Sequence, residues 1–358
     1  MLNNAGYLFE RLLDKDPAIA CNPPPHEHVA PQRRLLLRAA LASTIPGAWL
    51  PAALAQPGER FPSRPIKLIV AFAPGTGSDA LARIVATAMA PLLGQPLIVD
   101  NRAGAGGATG TEQGARAPAD GYTLTLATTS TLLTHPALNP KARYRAERDF
   151  VPVAGLSRTA FVLVVADTPE APRSLAELNE RLARMGGSFG SPGVGTIGHL
   201  AAEYFLSRSG RRAVHVPYRG SGAALTDVAG GQLLFGCDTV VAALPLIRAA
   251  RLRALFVTAQ ERLDTLSSVP TAAEAGMPQL ALSAWWGLAA PAATSPAIVA
   301  LLSDAVMKAL ASPEVRSQLA SQQLEPMPLP SDAFGALIHS ELPFWTEFVR
   351  QSGIRLEF

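Results

Sequence analysis

Two stretches of the chain join a glycine-rich turn to a helix in a way that could hold an anion. In the first, IKLIVAFAPGTGSDALARIVATAMAPLL, an apolar strand-like run breaks at Pro74, Gly75, Gly77 and Ser78. In the second, SFGSPGVGTIGHLAAEYF, the break falls at Pro192, Gly193, Gly195 and Thr196. Both read Pro-Gly-x-Gly-[Ser/Thr], a tight turn that ends on a residue able to cap a helix. Leu81, Ile84, Val85, Ala88, Met89 and Leu92 then recur at i, i+3, i+4 spacing, as do Ile197, Leu200, Ala201, Tyr204 and Phe205. The first turn of a helix carries unpaired N–H groups and the positive end of the dipole, and glycine lets a ligand reach them. Two such cradles in one chain suggest a carboxylate held between two lobes. The hydroxyl tract Thr128 to Thr131 and the segment Cys237-Asp238-Thr239 also follow strands. Ligands of open α/β sheets sit beyond the carboxyl ends of strands, so these segments could converge on the same crevice. Asp238 is the odd member of an anion site: it either accepts from a ligand ammonium or hydroxyl, or caps a helix. Trp285 and Trp286 either floor the cleft or pack a core or hinge.

Other chemistries fit less well. Gly186-Gly187-Ser188-Phe189-Gly190 has the letters of a nucleophile elbow, with His199 or His215 as conceivable bases, and a secreted serine hydrolase is the rival reading. An elbow needs a strand before the serine and a helix after it, whereas helix-like sequence precedes Ser188 and strand-like sequence follows. The run Gly104 to Gly110 lacks the dinucleotide spacing, because Thr109 stands where G-x-G-x-x-G needs glycine. It reads as a structural turn into a helix. The six histidines show no ligand spacing, so neither a metal nor a cofactor is expected. The two cysteines, Cys21 and Cys237, leave Cys237 alone once a leader is removed, so no intramolecular disulfide is expected. The net charge of +3 comes from scattered basic residues, without the Lys/Arg stripe of a nucleic-acid binder.

With 358 residues, 48% hydrophobic and 16% charged, the chain is long enough for two globular domains. Residues 1–31 do not read as folded protein, and a start at or near Val29 is expected. Gln32-Arg33-Arg34-Leu35-Leu36-Leu37-Arg38 then opens an apolar stretch ending at Ala53-Leu54-Ala55. This has the layout of an export signal over 32–55, cut near Ala55, and its paired arginines also suit twin-arginine export. From Phe61 strands and helices alternate, which argues for α/β layers. Strands are expected at Ile66–Phe72, Leu97–Asp100, Tyr122–Ala127, Phe161–Ala166, Val214–Val216, Leu233–Phe235 and Ala254–Thr258. Ser174 with Glu177 forms a capping box for one helix. Leu282–Pro291 reads as a strand crossing between lobes, and everything after Pro296 as helix returning to the first domain.

The segments FPSRPIKLIVAFAPGTGSDALAR, VDNRAGAGGATG, DGYTLTLATTS, FGSPGVGTIGHLAAE, VHVPYRGSGAALTDVAGGQ, VPTAAEAG and WWGLAAP together resemble the Bug family, the substrate-binding proteins of tripartite tricarboxylate transporters. The resemblance runs from about Phe61 to the C-terminus. It implies a type II, Venus-flytrap periplasmic binding protein: two α/β domains on a two-crossing hinge, with lobe 1 at 61–158 plus 287–358 and lobe 2 at 159–286. Such a protein closes on a small organic carboxylate, presents it to a membrane permease, does no chemistry and works as a monomer in the periplasm. A ligand sensor for a signalling partner is the other non-catalytic option. The family loops that grip the ligand, largely through backbone amides and ordered water, match Ala73, Gly75, Thr76, Gly77, Ser78 and Asp79, and Ser191, Gly193, Val194, Gly195 and Thr196. The resemblance extends to Thr128, Tyr218 and Asp238. Thr76 stands where the family loop usually has glycine, so its side chain either narrows the site or adds a hydroxyl contact. The residues before Asp238 also depart from the family pattern, which leaves that aspartate's contribution open.

Overall fold

The computed structural model describes residues 60–352. The expected extension and export signal lie outside the described residues. Strand β1 (Ile66–Val70) feeds α1 (Gly77–Leu93), and the chain returns as β2 (Leu97–Asn101). A glycine turn leads into α2 (Ala108–Ala115) and β3 (Thr123–Thr128). Two short helices, α3 (His135–Leu138) and α4 (Ala146–Asp149), precede β4 (Phe150–Ala166). The alternation continues through α5 (Leu175–Met185), β5 (Ser188–Ser191), α6 (Ile197–Ser209), β6 (Val214–Pro217), α7 (Ser221–Ala229), β7 (Phe235–Thr239), α8 (Val240–Arg248) and β8 (Leu252–Val257). Then β9 (Ser283–Pro291) crosses back, and α9 (Pro296–Ala311), α10 (Pro313–Ser321), β10 (Glu325–Pro330) and α11 (Ser331–Ser352) follow.

Hydrogen bonds join the strands in the order β2-β1-β3-β9-β4-β7-β5-β6, with β8 and β10 also paired to β4. Parallel neighbours need crossover connections, which is why β1 lies between β2 and β3, and β5 between β6 and β7, with helices linking them. Strand β4 serves both groups. Residues 150–160 pair antiparallel with β9, whereas 161–166 pair with β7 and β8. Register shifts at Pro152/Ala154 and Gly155/Ser157 bend this strand, so that it starts in one half and ends in the other.

Each half buries its own apolar cluster. In one, Leu81, Val85 and Met89 of α1 and Leu302 and Val306 of α9 cover Leu68 and Leu126. In the other, Val228 of α7 and Leu244 of α8 cover Val164 and Val257. A third cluster spans both, since Phe348 of α11 stacks on Tyr204 of α6 with ring centroids 5.3 Å apart.

Three local expectations change. The strand expected at Phe161 starts at Phe150, because its earlier residues are also buried between layers. Residues 233–234 belong to a turn, in which the N–H groups of Gln232 and Leu233 bond to the Asp227 carbonyl, so β7 begins at Phe235. The stretch after Pro296 is not wholly helical. Glu325–Pro330 adds a strand whose prolines, Pro326 and Pro328, are tolerated because β10 pairs on one side only.

Candidate functional site

The two glycine loops are built alike. In the first, Thr76 caps α1: its Oγ1 accepts from the Asp79 N–H at 3.3 Å and donates to the Ala73 carbonyl at 2.9 Å. One turn on, the Asp79 carboxylate reaches back to accept from the Gly75 N–H at 3.0 Å. In the second, Thr196 caps α6, accepting from His199 N–H at 3.4 Å and donating to the Gly193 carbonyl at 2.8 Å. Here His199 Nδ1 takes the place of the carboxylate and accepts from Gly195 N–H at 3.2 Å. Gly75 and Gly195 share φ of +80°, which only glycine adopts without strain.

These second residues face the loop backbone, not the ligand space. Asp79 also accepts from Asn101 Nδ2 at 3.1 Å and Arg83 Nε at 3.1 Å. Burial alone would raise its pKa, but Arg83, the Gly75 N–H and Asn101 together outweigh it and hold the carboxyl below its ordinary 3.8. His199 is pulled down to about 3 by burial and by His215, whose ring stacks on it 3.9 Å away. It is therefore neutral and free to accept at Nδ1. Burial takes His215 down to about 4, and its Nε2 lies 2.7 Å from Ser191 Oγ.

Between the loops lies a cavity of about 50 Å³ lined by Phe72, Thr76, Gly77, Ser78, Thr128, Ser130, Phe161, Pro192, Thr196, Ser221, Asp238, Thr239, Ala284 and Trp286. Four helices point their first turns at it. Thr76 and Thr196 cap α1 and α6, Ser221 opens α7, and Thr239 caps α8 by accepting from Ala242 N–H at 3.4 Å. Each N-terminus carries about half a positive charge, and no lysine or arginine lines the cavity. The arrangement can therefore hold an anion through backbone N–H groups and hydroxyls. Asp238 is the one ionisable group in the wall. Its Oδ1 accepts from the Thr239 N–H at 2.7 Å and Ser221 Oγ at 2.9 Å, while its buried Oδ2 has no partner. Burial pushes this carboxyl up to about 7.

Of the residues singled out in the sequence, Thr76, Gly77, Ser78, Thr128, Thr196 and Asp238 meet at the cavity. Ala73, Gly75, Asp79, Ser191, Gly193, Val194 and Gly195 do not line it; they form and brace the two loops. Tyr218 turns away, donating its hydroxyl to Asp227. The tryptophan pair divides by strand alternation. Trp286 faces the cleft and donates to Ser78 Oγ at 2.7 Å, while Trp285 faces the core, with its Nε1 on Glu341 at 2.8 Å. Ser130 and Thr128 come from a turn locked by reciprocal Thr128–Thr131 bonds at 3.0 and 3.1 Å. Ser130 and Thr239 belong to the 128–131 tract and the 237–239 segment singled out in the sequence, and Ser221 opens a helix close to residues that were. Pro192 belongs to the second glycine motif, whereas Phe72, Phe161 and Ala284 carry no such signal, because an apolar wall residue reads like any core residue.

The halves also touch outside the cavity. Thr134 Oγ1 donates to the Gly195 carbonyl at 2.7 Å, and the Ile197 N–H donates to Ser130 Oγ at 3.2 Å. The Gly104 to Gly110 turn abuts the second loop so closely that a β-carbon at Gly106 would lie 2.0 Å from the Val194 carbonyl oxygen. Ser188, by contrast, begins β5 paired to Val214, with no helix directly after it. The strand-to-helix elbow of a hydrolase is not formed there.

Two α/β halves sharing crossing strands, with helix N-termini from both facing one cleft, define a two-lobe periplasmic-binding-protein fold. The chain belongs to the tripartite tricarboxylate transporter family of receptors, TctC, whose profile matches residues 81–354. It is 36% identical over 301 residues to the protein BugT of Bordetella pertussis, covering 84% of this chain and 92% of that one. A solved periplasmic transporter is 39% identical with a TM-score of 0.79, covering 83% of this chain and all of the other. MatC of Rhodopseudomonas palustris, solved with bound malate, is 32% identical with a TM-score of 0.77, covering 81% of this chain and 100% of its own. The family is one of solute-binding receptors, and no helix among the described residues is long and apolar enough to cross a membrane.

Proposed function

We propose that the protein captures a small organic carboxylate between lobe 1, residues 61–158 with 287–358, and lobe 2, residues 159–286, and delivers it as a monomer to a tripartite-type permease. Export by a signal cut near Ala55 would bring it to the periplasm. The observation that carries this reading is the meeting of four helix N-termini on one cavity without a cationic side chain. Such a wall neutralises a carboxylate with the partial charges of many N–H groups in place of one buried ion pair. At about 50 Å³ the cavity holds little more than a water or two, so an acid enters only as the walls part. A ligand bonded to both loops then favours the closed arrangement by its differential affinity for it. The malate held by MatC supports a carboxylate as the cargo class. The part-buried Ser191–His215 pair braces the second loop, where Ser191 Oγ also accepts from the Gly193 N–H at 3.2 Å.

The reading is tested by a thermal-shift screen of the mature protein against di- and tricarboxylates, carboxylated aromatics and acidic amino acids. A ligand at a hundred times its Kd stabilises the fold by about 2.7 kcal/mol, several degrees for a chain this size. No shift with any acid at millimolar concentration, on protein shown to be folded, would overturn it.

A further inference from the structure

We propose that Asp238 selects among carboxylates, so that the preferred cargo carries a hydrogen-bond donor, a hydroxyl or an ammonium, on the carbon skeleton close to the carboxylate. This rests on the carboxylate reading of the same cavity and deepens it.

The argument begins with the two oxygens of one side chain. Asp238 is 1% exposed at the end of β7, and Oδ1 is saturated by the Thr239 N–H, the Thr239 hydroxyl and Ser221 Oγ. Oδ2 is equally buried, accepts nothing, and belongs to a residue of the cavity wall. A buried acceptor without a partner is costly, and more so in a carboxylate. The neighbours within the wall offer no relief. Ser221 already donates to Oδ1, Thr196 donates to the Gly193 carbonyl and Thr76 to the Ala73 carbonyl. Ser78 and Ser130, which accept from Trp286 Nε1 and the Ile197 N–H, make no bond to Oδ2 either, so a ligand in the cavity can supply the missing donor. An acid whose carboxylate sits at the N-termini of α1 and α6 brings the neighbouring carbon's substituent toward the α7–α8 side, where Asp238 stands. A hydroxyl or ammonium there satisfies Oδ2; a methylene leaves it bare. In its ionised form, which prevails above about pH 7, where the titrations are run, the same oxygen meets a second carboxylate oxygen with repulsion, so the group also acts against donor-free diacids.

The test uses matched acids that differ only in that substituent: succinate, malate and aspartate, and propionate, lactate and alanine, titrated calorimetrically into wild type and Asp238→Asn. In the variant the three donors on Oδ1 fix the amide oxygen in the same place, so the amide NH₂ takes the position of Oδ2 and puts a donor where wild type has an unpartnered acceptor. Wild type is expected to bind the hydroxylated or aminated member of a set at least tenfold tighter than the bare acid, which is about 1.4 kcal/mol. The variant is expected to reverse that order. A preference for the hydroxyl over the ammonium, or the converse, identifies which donor the cleft is built for. Equal affinity for bare and substituted acids in wild type overturns the inference and leaves the carboxylate reading standing. Retention of the wild-type order by a folded Asp238→Asn protein overturns it equally. Should Asp238→Asn fail to fold, the wild-type ranking alone decides. Binding of none of the six acids, by protein that another acid of the thermal-shift screen stabilises, overturns the inference and leaves the carboxylate reading standing.

Discussion

Gly106 lies against the Val194 carbonyl, and under the proposed closing motion this contact offers a way to block closing without touching the cavity. A methyl group at Gly106 would lie 2.0 Å from that oxygen, well over an ångström inside ordinary contact. Because the neighbour is backbone, it cannot swing aside. Gly106→Ala carries two costs. Its φ of +62° imposes roughly 1 kcal/mol on any residue with a β-carbon, whatever the state of the cleft. The overlap with Val194 adds about 1–3 kcal/mol, the usual range for overpacking, and only when the halves meet. Gly210, at the end of α6, supplies the control, since it has the same φ of +62° and nothing within 4 Å of its would-be β-carbon. Both variants should therefore unfold a few degrees below wild type in scanning calorimetry without ligand. Only Gly106→Ala should lose affinity, by roughly 10- to 100-fold in titration with the acid that stabilises wild type most, because each 1.4 kcal/mol spent on closing is a tenfold change. Affinity for Gly106→Ala within threefold of that for Gly210→Ala would refute the reasoning.

Other perturbations separate the bracing residues from the wall. Asp79→Asn should be about as destabilising as Asp79→Ala, about 2 kcal/mol by thermal melting, because the amide presents N–H to groups that already donate. Since Asp79 titrates below 3.8 in the fold, wild type's advantage over Asp79→Asn is full above that value and is lost as pH falls through the lower folded value. His199 and His215 are held neutral, so stability is full above pH 6.5 and drains as pH falls toward about 3 and about 4 respectively. Each costs up to about 1.4 kcal/mol per pH unit in that window, and a flat denaturation midpoint from pH 6.5 to 5 would contradict it. Trp286→Phe should abolish ligand-induced fluorescence change while Trp285→Phe retains it, given which of the two lines the cavity. Thr76→Gly should alter the order of affinities across the acid panel, since Thr76 lines the wall; an unchanged order would make it a bystander.

How far the sequence carries depends on which forces are local. The cradles were readable because turn, cap and helix period lie within a dozen residues, so Thr76 and Thr196 could be found from spacing alone. The same local signals exposed Ser174 and its helix, where Ser174 Oγ does accept from the Glu177 N–H. Strand β10 was hidden because Pro326 and Pro328 suppress a strand reading, and only its edge position makes them tolerable. The full extent of β4 was hidden because its partners, β9 and β7, are distant in sequence. Asp79 entered as part of the first loop that the resemblance implies; its bonds to Gly75 and Arg83 span four residues each, and only its bond to Asn101 depends on β2, which spacing cannot bring near. The division of Trp285 from Trp286 follows from strand alternation, yet which one faces the cleft depends on where α11 packs. Phe161 and Ala284 line the cleft only because β4 and β9 cross where the halves meet.

The most direct test of the central claim is a crystal structure of the protein with an acid that stabilises it. A carboxylate oxygen within about 3 Å of N–H groups in the first turns of both α1 and α6, beside Thr76 and Thr196, is the predicted result. An acid seated elsewhere, or against one half alone with the other swung away, would contradict the account.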